Sequence, residues 1–543
     1  MGEYDLVLLH PPAVFDFKER VLGPISDVVP SYPVFDMYPI GFLTLTSYLI
    51  RKGFKVRIVN LAAKMLLNEN LNIEKYLKGI KAKFYGIDFH WLIHANGALR
   101  LARIIKRLHP YSKIVIGGLS ATYFLREVLP REYIDYVVLG DTGERTIELL
   151  LENMREDEIP NLGWKERDKV RLSRKLFVPN SLDEYFVDVS LVIRKAIRSG
   201  DPLSWIPYAS FVTNPIGGVL PYKGCPMNCL TCGGSQHAYS KYFFRKTIAR
   251  KNPKTVFEEI KSIADYLKVT IFILNDLQLL GKKWIEKLIK EIKSERIDNT
   301  FMLEFFKPPN PEMLDELSKL GDDVILQISP ETHDEHVRKV FGRNYTNREL
   351  EAFIKEALKR KFRRIDLYFM IGLPKQDKPS VLKTVDYIDN LLTKYGSSRL
   401  EAFIAPLAPF LDPGSLAFEN PEKYGYTLLA RTLEDHMEII KKARKWVDLL
   451  NYKTKWLSKK DVAEAFYSST RKLVEIKYKH GIIGKEEYEE LLKRIDAGRT
   501  FLSKGILDKE SVKLGELYPS RHMLTSIKPL KILAHLPLIL MGR

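Results

Sequence analysis

Gly224-Cys225-Pro226-Met227-Asn228-Cys229-Leu230-Thr231-Cys232 holds all three cysteines of the chain, at spacings of four and three residues. Steps this short let a loop wrap one face of an iron–sulfur cubane. Three thiolates on four irons leave one iron open to a reacting ligand. Zinc is the competing reading. A structural zinc site wants a fourth protein ligand, and His237 is near enough in sequence to serve. Ordinary buried cysteines are disfavoured by the clustering. Cys225, Cys229 and Cys232 are therefore the candidate metal ligands, and a [4Fe–4S] cluster is the expected metal group.

Working outward, the loop follows an apolar run at 218–222. Five further strand patterns come after it, at 269–274, 301–305, 323–328, 364–370 and 399–404. Helical patterns at 256–267, 283–293, 311–320 and 348–360 separate them. Six strands with right-handed crossovers imply a partial (β/α)6 barrel. Upstream, Asp5-Leu6-Val7-Leu8-Leu9 reads as a strand stopped by His10-Pro11-Pro12, with further strands at 55–59, 84–87, 113–116 and 136–139. Helices at 40–52, at 98–108 and from Glu144 alternate with them. Such alternation predicts a doubly wound parallel sheet, whose ligands sit at the carboxyl ends of the strands. His10, Gly117, Gly118, Gly140 and Asp141 fall at those ends. The fold class is α/β, divided as an N-terminal sheet domain (1–155), a connector (156–215), a barrel (216–418) and a helical C-terminal region (419–543).

The chain has 543 residues, 45% hydrophobic and 28% charged, enough for ordinary globular cores. The net charge of +18 favours anionic partners, nucleic acid and acidic headgroups among them. Its basic residues are spread along the chain and read mostly as solvated faces. The abundance of Lys, Arg, Glu and Ile suits a thermophile. No signal peptide is apparent, and no segment reaches the roughly 20 apolar residues that span a bilayer. Three clustered cysteines suit a reducing cytoplasm, not a secreted disulfide framework. The apolar stretch 530–541, flanked by Lys528 and Arg543, reads either as a docked core segment or as a peripheral membrane contact.

The cysteine loop after the first barrel strand resembles the signature of the radical S-adenosylmethionine superfamily. Thr231 departs from it, standing where the family usually has an aromatic residue. The resemblance implies that Asn275 and Asp276, in Ile273-Leu274-Asn275-Asp276, replace the family's contact to the methionine amino group. It implies ribose or carboxylate contacts for Ser329 and Glu331, in Ile328-Ser329-Pro330-Glu331-Thr332, and an adenine contact at Gly372, in Met370-Ile371-Gly372-Leu373-Pro374. For each polar residue the alternative is a helix N-cap. Cap and ligand weigh evenly for Asp276, and the ligand role is favoured for Glu331.

The sheet domain resembles the cobalamin-binding class of the same superfamily, through Leu9-His10-Pro11-Pro12, Tyr38-Pro39-Ile40-Gly41, Ile116-Gly117-Gly118-Leu119-Ser120 and Leu139-Gly140-Asp141-Thr142-Gly143-Glu144. This implies cobalamin contacts at His10, Gly117, Gly118, Gly140 and Asp141. The Asp-x-His-x-x-Gly ligand motif is absent, and His90 and His94 read as hydrogen-bonded residues rather than ligands. The implied cofactors are the cluster, S-adenosylmethionine and cobalamin, with an external electron donor. The implied reaction takes hydrogen from an unactivated C–H bond. Its outcome is C–C ring closure, as in the tetraether lipid synthases of archaea, or C-methylation of a small molecule, lipid or RNA. A methylthiotransferase is disfavoured, because three cysteines cannot hold a second cubane.

Overall fold

The computed structural model describes residues 3–17, 34–68, 70–167, 169–212, 215–396 and 398–504. The stretch 530–541 lies outside them. No helix among the described residues is long and apolar enough to cross a membrane.

The first sheet holds β1 (Tyr4–His10), β2 (Val56–Asn60), β3 (Ala82–Asp88), β4 (Lys113–Gly117), β5 (Tyr136–Val138), β6 (Leu162–Glu166) and β7 (Lys169–Leu172), in the order β2-β1-β3-β4-β5-β6-β7. The first five run parallel. Their near-continuous apolar runs fit burial on both faces, as in β1, where Leu6 to Leu9 are at most 2% exposed. The strand order reverses at β1 and β3, and an open α/β sheet binds its ligand at such a switch point. The last two strands are antiparallel additions. Residues 162–172 thus extend the first sheet, where the sequence places a connector. A polar, exposed edge hairpin carries too little hydrophobic alternation to announce itself.

The second sheet is an open arc of six parallel strands in the order β15-β14-β13-β12-β11-β8. It starts with β8 (Ile216–Val219). A two-strand ladder, β9 (Tyr222–Lys223) with β10 (Ala249–Arg250), frames the cysteine loop. The arc continues through β11 (Thr270–Asp276), β12 (Phe301–Phe305), β13 (Val324–Glu331), β14 (Arg364–Ile371) and β15 (Leu400–Pro406), with helices between. This is the partial barrel expected from the spacing of apolar runs.

The C-terminal region is not wholly helical. Two short strands, β16 (Tyr426–Leu428) and β17 (Tyr452–Thr454), pair antiparallel. Their tyrosines reach the mouth of the arc. Tyr426 donates to the Gly372 carbonyl at 2.8 Å and Tyr452 to the Leu407 carbonyl at 2.8 Å. Helix Leu433–Lys442 leans the other way, onto the first sheet's helix Ala95–Leu108, where Asn96 donates to the Met437 carbonyl at 2.8 Å. The same region therefore braces both sheets.

A buried ion pair joins the end of β5 to the segment that follows the cysteine loop. Asp141, just after β5, takes Nε and Nη2 of Arg245 at 2.5 and 3.1 Å. The side chains are 7% and 2% exposed. Arg245 also donates to the Pro179 carbonyl and to Thr142, so its donors are well used. Removing one partner of a buried pair strands the other charge. Arg245→Met is expected to lower unfolding free energy by about 3–5 kcal/mol, read by chemical denaturation. Asp141→Asn with Arg245→Met together should cost less than the sum of the single changes. Additive losses would show that the pair is not coupled.

Candidate functional site

The carboxyl ends of both sheets open onto one cavity of about 760 Å³. The first sheet contributes Asp88, His90, Gly117, Gly118, Gly140 and Asp141 to its wall. The second contributes Gly218, Leu274, Met302, Glu304 and Gln327. Most of the remaining wall is apolar, as at Ile40, Phe42, Leu43 and Phe211. Such a wall with a few convergent polar groups suits a large organic ligand.

The glycines work by close approach. Gly118 has φ +119°, and a Cβ there would stand 2.5 Å from His90 Cα and 2.6 Å from His90 N. Only glycine lets the β4 turn press against Phe89 and His90, the two residues after β3. Gly140 has φ +87° at the end of β5, and Gly117 lines the same rim.

His10 is not at this rim. It is fully buried, its Nδ1 2.8 Å from Asp88 Oδ2 and its Nε2 3.1 Å from the Phe35 carbonyl. Contrary to its expected place among the strand-end contacts, His10 does not line the cavity, since the 34–38 segment covers the β1 end. Burial raises the Asp88 carboxyl, but the His10 hydrogen bond and charge outweigh it and hold the group below its ordinary value. Asp88 in turn accepts the His90 backbone N–H at 2.9 Å. His10 thus acts on the rim at one remove. Asp141 lines the cavity, but its carboxylate is taken by Arg245. His94 is core: its Nε2 faces the Phe35 carbonyl at 2.7 Å, and burial pushes its pKa down to about 3. His90 differs. Its ring lies edge-on to Trp91 with centroids 5.0 Å apart, and its nitrogens make no hydrogen bond among the described residues. Burial lowers its pKa, so the neutral imidazole prevails.

The cysteine loop is pinned by backbone contacts. Leu230 N donates to the Phe341 carbonyl at 2.7 Å, Ala417 N to the Leu230 carbonyl at 3.0 Å, and Gly233 N to Asp412 at 3.0 Å. Gly342, at φ +113°, allows the loop to close, since a Cβ would meet Asn228 O at 2.8 Å. Two sulfurs accept amides, Cys225 from Met227 at 3.4 Å and Cys232 from Gly234 at 3.3 Å. Burial pushes the Cys225 thiol up to about 11. Among the described residues no three His, Cys, Asp or Glu side chains converge on a point that could hold one metal ion. Zinc with His237 as fourth ligand therefore has no preformed site. A cubane takes one thiolate per iron and needs no such convergence.

Beside the loop lies a charged group that the sequence only half reveals. Glu331 ends β13 with φ +68°, and Asn275 sits near the end of β11 with φ +68°. Asn275 falls within a register break of its strand, and Glu331 closes one. Bulges re-aim side chains, and left-handed non-glycine residues cluster where function holds them. Arg343 Nε stands 3.5 Å from Glu331 Oε1, and Arg343 Nη1 donates to the Phe306 carbonyl at 3.3 Å. Glu304 on β12 accepts the Asn275 N–H at 3.1 Å. Burial raises Glu331 to about 7 against the pull of Arg343, and burial also raises Glu304. Glu304 and Arg343 were not anticipated. A lone carboxylate inside the apolar strand Phe301–Phe305 was the available signal for the first, while nothing around Arg343 marks it.

Two of the residues expected to meet the cofactor have protein partners here. Asp276 is a cap: its carboxylate takes the Gln278 N–H at 2.9 Å, the Gln278 amide at 3.2 Å and the Phe306 N–H at 2.8 Å. Gly372 spends its N–H on Gln376 at 2.8 Å and its carbonyl on Tyr426 at 2.8 Å. Half-buried Ser329 is at the end of β13, two residues before Glu331.

Residues 28–151 match the family model of the B12 binding domain, and residues 219–388 that of the Radical SAM superfamily. An uncharacterized methyltransferase of Pyrococcus horikoshii is 25% identical over 397 residues, covering 72% of this chain and 79% of the relative. An anaerobic magnesium-protoporphyrin IX monomethyl ester cyclase of Cereibacter sphaeroides is 28% identical over 193 residues, 34% of this chain and 29% of the relative. Among solved structures, the radical S-adenosylmethionine methyltransferase TsrM of Kitasatospora setae, with tryptophan and a cofactor analogue bound, superposes with a TM-score of 0.57. It does so at 15% identity over 89% of this chain and 90% of that one. The cobalamin-dependent enzyme OxsB with aqua-cobalamin gives 0.55 at 13% identity, over 94% and 74%. At these identities the likeness shows the fold.

The raised Glu331 carboxyl has a consequence for stability. The folded chain keeps a proton that the unfolded chain releases, so stability falls as pH rises from 4.5 towards 7. Glu331→Gln should remove this slope, worth up to about 3 kcal/mol across that range. Thermal unfolding of the metal-free protein at a series of pH values reads it. Parallel curves for wild type and variant would mean that Glu331 titrates normally.

Proposed function

Since the chain belongs to the radical S-adenosylmethionine superfamily and carries a B12-binding domain, we propose that it transfers a methyl group to an unactivated carbon of a small molecule seated in the shared cavity. Its cofactors are a [4Fe–4S] cluster, S-adenosylmethionine and cobalamin. The observation that carries the reading is the single cavity faced by both sheets' carboxyl ends. It lets a group held on the first sheet and one held beside the cysteine loop meet the same substrate.

In this reading Cys225, Cys229 and Cys232 hold the cluster. The Arg343 guanidinium suits the methionine carboxylate, and Glu331 with Glu304 suits the ammonium group, as charge-assisted hydrogen bonds favour. Ser329 and Asn275 complete the polar rim, and Gly117, Gly118 and Gly140 leave room for the corrin. When bound, the cluster with S-adenosylmethionine supplies a hydrogen-atom abstractor, and cobalamin a methyl donor. The apolar walls at Leu274, Met302 and Phe211 keep water from the reacting carbon. The division proposed for the chain places the methyl-carrying part in the first sheet and the abstracting part in the second. Methyl transfer is preferred to ring closure on the name of the relative that spans 72% of the chain. A tryptophan-bound neighbour supports a small substrate over a lipid.

Two measurements test this. Single Ala replacements of Cys225, Cys229 and Cys232 should each abolish 5′-deoxyadenosine formation in anaerobically reconstituted protein. Normal rates in all three would remove the cluster assignment. With methyl-deuterated S-adenosylmethionine, methylcobalamin and a reductant, wild-type protein should carry label into a component of a small-molecule extract. Label confined to cobalamin and S-adenosylmethionine, or unlabelled cyclised lipid in its place, would overturn methyl transfer.

A further inference from the structure

The His90 backbone is held from three directions. Its N–H is accepted by Asp88 Oδ1 at 2.9 Å. Its carbonyl takes Ser120 Oγ at 2.8 Å and Ser120 N at 3.2 Å. Gly118 presses on its Cα so closely that no Cβ would fit. Asp88 is itself fixed by buried His10. A main chain this constrained places its side chain reproducibly, and the residue lines the cavity at the carboxyl end of β3, next to the switch point of the sheet.

Among the described residues the ring has no protein use that accounts for it. It makes no hydrogen bond among the described residues and touches Trp91 only edge-on. The other histidines near this rim are accounted for: His10 bridges Asp88 and the Phe35 carbonyl, and His94 points at the same carbonyl. Of the three, His90 alone lines the cavity. The buried carboxylate network acts on the His90 main chain, and the ring nitrogens stay open among the described residues, as a neutral imidazole that is to take a metal requires of one of them. The metal that the first sheet's cofactor brings is cobalt, which takes nitrogen donors readily.

We infer that His90 supplies the protein-side axial nitrogen ligand of the cobalt when cobalamin occupies the cavity, with Asp88, His10 and Gly118 as its positioning residues. This rests on the reading of the cavity as a cobalamin site. It adds a ligand that the sequence, lacking the Asp-x-His-x-x-Gly motif, does not announce.

Electron paramagnetic resonance of full-length protein loaded with cob(II)alamin tests it without turnover. Nitrogen superhyperfine splitting on the cobalt lines is expected in wild type. It should change pattern when the protein is grown on ¹⁵N-histidine and vanish in His90→Ala. Exogenous imidazole should restore it in that variant. Splitting that ignores the ¹⁵N label comes from the cofactor's own dimethylbenzimidazole and overturns the assignment. Splitting that persists in His90→Ala overturns it too, as does a wild-type spectrum without nitrogen splitting. Should His90→Ala lose cobalamin altogether, the labelled wild-type spectrum still decides. Wild-type protein that takes up no cobalamin defeats the cavity reading itself, a distinguishable failure.

Discussion

The Asp141–Arg245 pair constrains the geometry on which the rest depends. A carboxylate and a guanidinium at 7% and 2% exposure are costly to bury, and only tight pairing offsets that cost. The pair sits where β5 ends and where the chain beyond the cysteine loop returns, so it fixes the angle at which the two sheets' carboxyl edges confront each other. Lys223 reinforces it, donating to the Asp141 carbonyl at 2.8 Å from the ladder that frames the loop. Hydrophobic packing alone would press the two bodies together without setting this register, because apolar burial is not directional. The cavity is what remains between surfaces held at a defined angle.

Most of the fold was legible because parallel strands are written as apolar runs. The six strands of the arc and the first five of the N-terminal sheet all announce themselves in this way. What escaped was polar or short: the edge hairpin at 162–172 and the pair β16 with β17. The cysteines were legible from spacing alone. Other site residues were harder, for a shared reason. Polar residues at strand ends have two uses, holding a ligand or satisfying the backbone of the next turn. Asp276, Gly372 and Asp141 proved to be used by the protein, which no spacing distinguishes. Arg343 was invisible because it meets Glu331 across a turn whose geometry depends on Gly342.

Backbone strain separates these cases better than residue type does. Asn275 and Glu331 both take left-handed conformations at carboxyl ends of the arc, each costing about 1–3 kcal/mol. A cap needs no such distortion, and Asp276, a cap, has φ −80°. The distorted residues lie within or at the edge of register breaks, so the strands are locally irregular where they deliver them. The surrounding sheet over-determines their position, with β13 hydrogen-bonded on both sides.

Charge bookkeeping at this cluster then indicates what it is built to meet. Glu304, Glu331 and Arg343 together bring two carboxylates to one guanidinium in a confined space, and burial resists ionisation of both acids. Left to itself the group would settle by keeping a proton, as the raised Glu331 suggests. A ligand carrying one net positive charge would instead balance the group, letting both acids ionise while the guanidinium keeps a carboxylate partner. S-adenosylmethionine has that balance, with sulfonium and ammonium against one carboxylate. The same site would be poorly matched to methionine alone, which is neutral overall. In the proposed reading, discrimination between cofactor and methionine would follow from the number of charges the arc confines, before any contact to the adenine is considered.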